Sequence, residues 1–218
     1  MDWVEWHKGY RSSPALKARL GKVRTQISNC LNACPTGEIR VVSVCAGDGR
    51  DLLGALMDHP RALDVRARLV ELDERLVESG RAAADAVGLA EQLEFFNGDA
   101  TRSSAYEGIA PAHLVIVCGV FGHVSEVQTH RLVQNLPFLC KSGGFVVWTR
   151  RLNEQEGARH TATIRTLLHE SAFEEVCFEV TPEGKFAVST YRYLGESLPL
   201  PNDQHLFDFS EFAGALDW

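Results

Sequence analysis

The chain has 218 residues, of which 45% are hydrophobic and 23% charged, the balance of an ordinary globular domain rather than of a disordered or fibrous chain. That length holds one well-cored domain and is short for two. A net charge of -7 and a pI near 5.6 argue against a protein whose main task is gripping phosphate backbones, so nucleic acid is not an expected partner.

The first residues, Met1 to Lys8, lack the apolar stretch of a signal peptide, and no apolar run approaches the ~20 residues that span a bilayer. None of the six cysteines forms a Cys-x-x-Cys pair. Cys45, Cys118 and Cys177 fall in strand-like runs, where a thiol behaves as a small hydrophobe. Cys30 and Cys34 lie one helical turn apart and read as packing residues. The expectation is a reduced, cytoplasmic protein with no membrane partner and no bound metal.

In chain order, Trp3, Trp6, His7 and Tyr10 crowd together first. They read either as an aromatic staple that pins a terminal segment or as a lid over a pocket. Ser13-Pro14 caps a helix whose apolar face runs through Leu16, Leu20, Val23, Ile27 and Leu31, ending at Cys34-Pro35-Thr36-Gly37. Val41 to Val44 is an apolar β-branched run, the pattern of a strand buried on both faces. It breaks into the turn Cys45-Ala46-Gly47-Asp48-Gly49 and resumes as a helix from Asp51 to about His59-Pro60. Ala67 to Asp73 is a strand running into acids, followed by a helix through Leu76, Val77, Gly80, Ala83, Ala84 and Val87. Leu93 to Phe96 and Leu114 to Cys118 are further strands. Ser125-Glu126-Val127-Gln128 is a capping box that opens a helix disturbed by Pro137. Gly143 to Trp148 is the fifth strand and Thr161 to Ser171 an amphipathic helix. Phe173–Val180 and Phe186–Tyr193, around Pro182-Glu183-Gly184, pair as an antiparallel hairpin. The acidic, aromatic tail beyond Gly195 is expected to pack over the sheet.

Alternation of strand and helix predicts an α/β fold. Its sheet is doubly wound, seven-stranded and mostly parallel, and an antiparallel C-terminal hairpin closes it. The expected organisation is an N-terminal helical cap over residues 1–37, a core over 38–194, and a tail over 195–218 packed on that core, all one domain. In such sheets ligands sit beyond the carboxyl ends of the strands. Those ends carry Ala46-Gly47-Asp48-Gly49, then Glu71-Leu72-Asp73, then Asp99-Ala100, then Gly119. Glycines let a ligand approach the backbone. An acid after the second strand accepts ribose hydroxyls. An acid after the third accepts from an adenine amino group, and the next amide donates to a ring nitrogen. Together, in this order, they describe an adenosine site. A dinucleotide fingerprint wants a glycine where Leu52 stands, and a Walker Gly-Lys-Ser/Thr is missing.

The pattern resembles the class I S-adenosylmethionine-dependent methyltransferases over roughly residues 38 to 193, through Val41–Gly49, Glu71, Asp99-Ala100, Val115–His123 and the closing hairpin. The resemblance implies S-adenosylmethionine as methyl donor, with S-adenosylhomocysteine as its product. Tyr10, Ala46, Gly47, Asp48, Gly49, Glu71, Leu72, Asp99, Ala100 and Gly119 would bind it. His123, just past the fourth strand, would be the general base, with Tyr10 and His7 as second choices bordering the acceptor. The chain departs from the family at Ser43, where an acid usually helps hold the methionine ammonium, and at Cys45, where glycine is usual. Asp48, Asp51 or the Gly119 carbonyl must then carry more of that load. Thr149, Arg150 and Arg151 read as a solvated basic turn, with contact to an anionic acceptor as the other reading. The expected activity is in-line methyl transfer to a small-molecule acceptor. RNA or protein methylation, or donor binding without catalysis, are the alternatives.

Overall fold

The computed structural model describes residues 13–152 and 154–209. His7, Tyr10 and the other N-terminal aromatics, with Phe212 and Trp218 of the tail, lie outside the described residues.

Seven strands form one sheet in the order β3-β2-β1-β4-β5-β7-β6. The strands are β1 (Ile39–Val44), β2 (Val65–Glu71), β3 (Leu93–Asn97), β4 (Ala112–Val117), β5 (Cys140–Arg151), β6 (Phe173–Val180) and β7 (Phe186–Tyr193). The first five run parallel, with Val41 level with both Ala67 and Leu114 and Val117 level with Trp148. β7 inserts antiparallel between β5 and β6. The mostly parallel sheet with a closing antiparallel hairpin is therefore as the alternation predicts.

Helices cover both faces, which is why β1 and β4 can be apolar along their whole length. On one side lie α1 (Pro14–Ala33), α2 (Arg50–Leu56) and α3 (Glu74–Ala86). Their core joins Val23, Ile27 and Leu52 to Val41, Leu69 and Ile116. Cys30 and Cys34 are free thiols packed in it. On the other side lie α4 (Glu126–Leu139) and α5 (Glu154–Glu170), over a core of Val42, Val115, Trp148, Leu132 and Ile164. Leu206 and Phe207 complete this second core. The segment that carries them pairs with the turn after β3, where Leu206 N–H donates to Thr101 C=O at 2.7 Å.

Local signals account for most element ends. The Ser13 hydroxyl accepts from Leu16 N–H, and Pro14 takes the first turn of α1. Asp73 caps α3 and Ser125 caps α4. The Gln128 amide accepts from nothing among the described residues, so Ser125 caps through its own hydroxyl.

β1, β2 and β4 each begin two residues before the expected start, α2 ends at Leu56 rather than near His59-Pro60, and three further boundaries differ for a visible reason. α4 continues through Pro137 to Leu139, because only the bond that the proline N–H would have made is lost. β5 begins at Cys140, not Gly143: the glycines sit inside the strand at a register irregularity opposite Ala112 and Leu114. A Cβ on Gly144 would stand 2.8 Å from Lys141 O, so a turn-like sequence is in fact a close crossing of backbones. α5 begins at Glu154, seven residues before its apolar periodicity becomes visible.

Candidate active site

The turn after β1 is shaped by three residues in the left-handed region: Cys45 at φ 52°, Gly47 at 59° and Gly49 at 68°. Gly49 has no alternative. A Cβ there would meet Leu69 Cδ2 at 2.5 Å and the Phe95 ring at 2.9 Å. Cys45 adopts by force what glycine adopts freely. Ala46 N–H donates to Val70 C=O at 2.9 Å, which lashes the turn to β2.

Glu71, only 8% exposed, ends β2 directly beside this turn. Its Oε2 accepts from Gly47 N–H at 2.8 Å and its Oε1 from Asp73 N–H at 2.9 Å. Each oxygen keeps a further lone pair. The next residue, Leu72, is 73% exposed, although it sits between a buried glutamate and a helix cap. Asn97 supports this strand end from β3, its side chain donating to Glu71 C=O and Leu72 C=O at 3.1 and 3.0 Å. Asp99 is exposed, with Oδ1 accepting from Thr101 N–H at 2.9 Å. Ala100 is buried, and its carbonyl accepts from Tyr106 O–H at 2.7 Å. On the other flank Gly119, at φ 84°, follows β4, and its N–H donates to Thr149 Oγ1 at 3.0 Å.

Ala46, Gly47, Gly49, Glu71, Leu72, Asp99, Ala100 and Gly119 thus stand at the carboxyl ends of four adjacent strands, β3-β2-β1-β4. Asp48 is in the turn as well, but its carboxylate is engaged by the Arg50 side chain, with Nε donating at 2.8 Å. Tyr10, expected to complete this group, lies outside the described residues.

Arg19 is a residue that the apolar face assigned to α1 passes over. It is 6% exposed, and a Cβ on Gly119 would stand 3.5 Å from its Nη2. Its guanidinium lies over the Phe186 ring, 5.6 Å from the centroid. The buried stripe of α1 is Ala15, Arg19, Val23, Gln26, Ile27, Cys30 and Leu31, so Val23, Ile27 and Leu31 of the expected face are buried while Leu16 and Leu20 stand on its flank. Two polar residues in phase with that stripe were the readable signal. Asp51 is half-buried in the same region. Desolvation raises its pKa, while the Leu52 amide and the Arg19 charge pull the other way.

His123 sits past β4, its N–H donating to Val120 C=O at 2.8 Å. Burial first, then the charges of Arg150 and Arg19, push its pKa down to about 4. At neutral pH the ring is uncharged, the form a base requires, but it holds a proton weakly.

A family model described as putative methyltransferase matches residues 8–153 of this chain. No curated protein matches it. Among solved structures, an O-methyltransferase family protein from Burkholderia thailandensis superposes with a TM-score of 0.63 at 15% identity, over 82% of this chain and 57% of that one. The present chain therefore spans little more than half of that relative. The magnesium protoporphyrin IX methyltransferase from Synechocystis PCC 6803, with S-adenosylhomocysteine bound, gives a TM-score of 0.66 at 11% identity, covering 88% of this chain and 93% of that one. The cyclase SpnF gives 0.56 at 14% identity, over 81% and 82%. At these identities the likeness is one of fold.

Proposed function

We propose that this chain, which belongs to the putative methyltransferase family and has the class I methyltransferase fold, transfers a methyl group from S-adenosylmethionine to a small-molecule acceptor. The observation that carries the reading is Leu72: a leucine left 73% exposed beside a buried carboxylate has the position of a platform for a flat ring. Acceptors flank it, Glu71 on one side and Asp99 on the other. They suit a nucleoside, which offers two ribose hydroxyls and an amino group as donors. The chemistry of the residues therefore fits the donor's adenosine.

S-adenosylmethionine, when bound, supplies a methyl group already activated on a sulfonium. This chain's residues have the remaining tasks of holding, aligning and excluding water. Glu71 accepts the ribose hydroxyls with the lone pairs that Gly47 and Asp73 leave free. Asp99 accepts the adenine amino group, and Leu72 covers the ring. Gly47 and Gly49 keep the turn low, and the Ala46 and Ala100 backbones border it. For the methionine end, Ser43 gives no acid. Asp51 and Arg19 offer the two opposite charges that an α-amino acid needs, with the Gly119 carbonyl beside them. Asp48, engaged by Arg50, plays a smaller part. His123 faces the acceptor side as a neutral hydrogen-bonding group. It is the general base for any acceptor that must lose a proton, passing that proton on rather than keeping it.

A small acceptor is supported by the acidic total, which disfavours a nucleic-acid acceptor, and the magnesium protoporphyrin IX methyltransferase offers a precedent on the same fold. SpnF favours a second reading, in which the fold serves chemistry other than methyl transfer. The six free cysteines support a reducing, cytoplasmic setting, and no described helix is long and apolar enough to cross a membrane. Calorimetry with the donor and its demethylated product on wild type and Leu72→Ser tests the proposal. Loss of roughly tenfold in affinity is expected, about 1.4 kcal/mol for an uncovered apolar contact. Undiminished binding by Leu72→Ser would place the ring elsewhere.

A further inference from the structure

The carboxyl end of β5 carries a cation that donor binding does not use. Its three residues, Thr149, Arg150 and Arg151, have three different settings, and the expected solvated turn is found only at the last. Thr149 is buried and receives the Gly119 N–H, while Arg151 is exposed. Arg150 lies between them, half-buried against the loop after β4, where a Cβ on Gly122 would stand 3.1 Å from its Nη1. Its Nη2 meets His160 Nδ1 at 3.2 Å. Its Nε is shielded from solvent and has no hydrogen-bond partner among the described residues. No described carboxylate makes an ion pair with it. Glu156 acts on it only through its field, partly offsetting the burial that lowers its pKa.

A guanidinium carries five N–H donors in a planar fork, and here one described contact uses them. Leaving the shielded Nε–H unsatisfied costs stability unless an acceptor arrives, and the Nη donors that water reaches are free to join it. The place is specific. β5 lies beside β4, and Gly122 adjoins His123, so the fork stands next to the loop that borders the acceptor side of the site.

We propose that Arg150, steadied by His160, is the seat of a carboxylate on the acceptor, so that the molecules methylated are small carboxylic acids. One planar fork held at Nη2 by the His160 ring matches a single negative charge with two coplanar oxygens. A phosphate would call for more positive charge than Arg150 supplies, since Arg19 faces Asp51. This inference rests on the donor reading above, which places the acceptor beside His123.

The test is a titration of the wild-type protein followed through the Arg150 Nε–H signal in nuclear magnetic resonance, with the signal assigned by its loss in Arg150→Lys. Sodium acetate, acetamide and phosphate serve as probes at constant ionic strength, with S-adenosylhomocysteine present and absent. Acetate should shift the Arg150 signal saturably in the millimolar range, acetamide should leave it unmoved, and phosphate should act more weakly than acetate. A shift from acetate that does not saturate, an equal shift from acetamide, or tighter binding of phosphate would each overturn the carboxylate seat. Calorimetry of S-adenosylhomocysteine on the same sample reads the donor site separately, so failure of one reading is distinguished from failure of the other.

Discussion

The two halves of the proposed site differ in how much of their hydrogen bonding is internal. On the donor half, at the ends of β1, β2 and β3, Glu71 is already held by two backbone amides, and the turn beside it is lashed to β2. On the acceptor half, at the ends of β4 and β5, half-buried Arg150 keeps a shielded Nε without a partner among the described residues, and burial and the nearby arginines drive His123 toward neutrality. The donor half is built to present acceptors in a fixed frame, which suits a ligand shared by many enzymes. The acceptor half leaves one donor of a guanidinium open, which suits a ligand particular to this one.

The largest effect should follow from breaking the frame itself. Gly49→Val puts a β-branched side chain at φ 68°, onto Leu69 and Phe95. Urea denaturation should show a loss of roughly 2–4 kcal/mol. A loss below half a kcal/mol would mean that the turn is soft and the donor half no more rigid than its neighbour.

Glu71→Gln probes the same half more gently. One of its two oxygens becomes an amide donor facing a backbone N–H, so calorimetry should find donor affinity down by about 1–3 kcal/mol. Circular dichroism should find the fold retained. Unchanged affinity would make Glu71 a structural brace for Gly47 and Asp73 and nothing more.

The acceptor half should announce itself in pH dependence. His123 falls from 6.5 to about 4 on folding, so between those values the unfolded chain binds the proton and the folded chain does not. Stability is therefore fully present above pH 6.5, declines as the pH falls toward 4, and levels off below, by roughly 1–3 kcal/mol. His113, lowered by burial and by Lys141, contributes in the same direction. The difference between wild type and His123→Gln isolates His123. A difference that does not vary over this window would show a ring exposed to water and unsuited to the role given to it.

The smallest effect returns to the turn. Cys45→Gly removes the left-handed strain of a side chain at φ 52°. The gain, offset by glycine's greater freedom when unfolded, should be about 0.5 kcal/mol in thermal denaturation. A loss of stability would show that the thiol packs too well to be spared.

How far the sequence could be read follows the same division. Glu71, Leu72 and Asp99 each end a strand whose run of apolar residues is visible, so their common edge follows from topology alone. The donor half is legible because its chemistry lies next to the strands in sequence. Arg19 is hard to see because Leu16, Leu20 and Val23 also describe a helical face, and which of two overlapping stripes is buried depends on what packs there. Arg150 read as part of a solvated turn because three polar residues in a row show no periodicity. Only the side chain's position against Gly122 separates it from Arg151. The start of β5 is hidden because Gly143 and Gly144 look like a turn in the sequence, whereas in the sheet they allow a tight backbone crossing. The departures at Ser43 and Cys45 were visible, but their consequence was not. Cys45 keeps the glycine conformation, and Ser43, 1% exposed, is too deep to replace an acid at the surface of the site.

The donor half stands on a nucleoside lying over Leu72 between Glu71 and Asp99. Its most direct test is a nuclear Overhauser experiment on the protein saturated with S-adenosylhomocysteine and labelled at leucine methyl groups. The Leu72 δ-methyls should show cross-peaks to the adenine protons. Saturable binding that leaves Leu72 silent, with adenine contacts at other leucines, would contradict it.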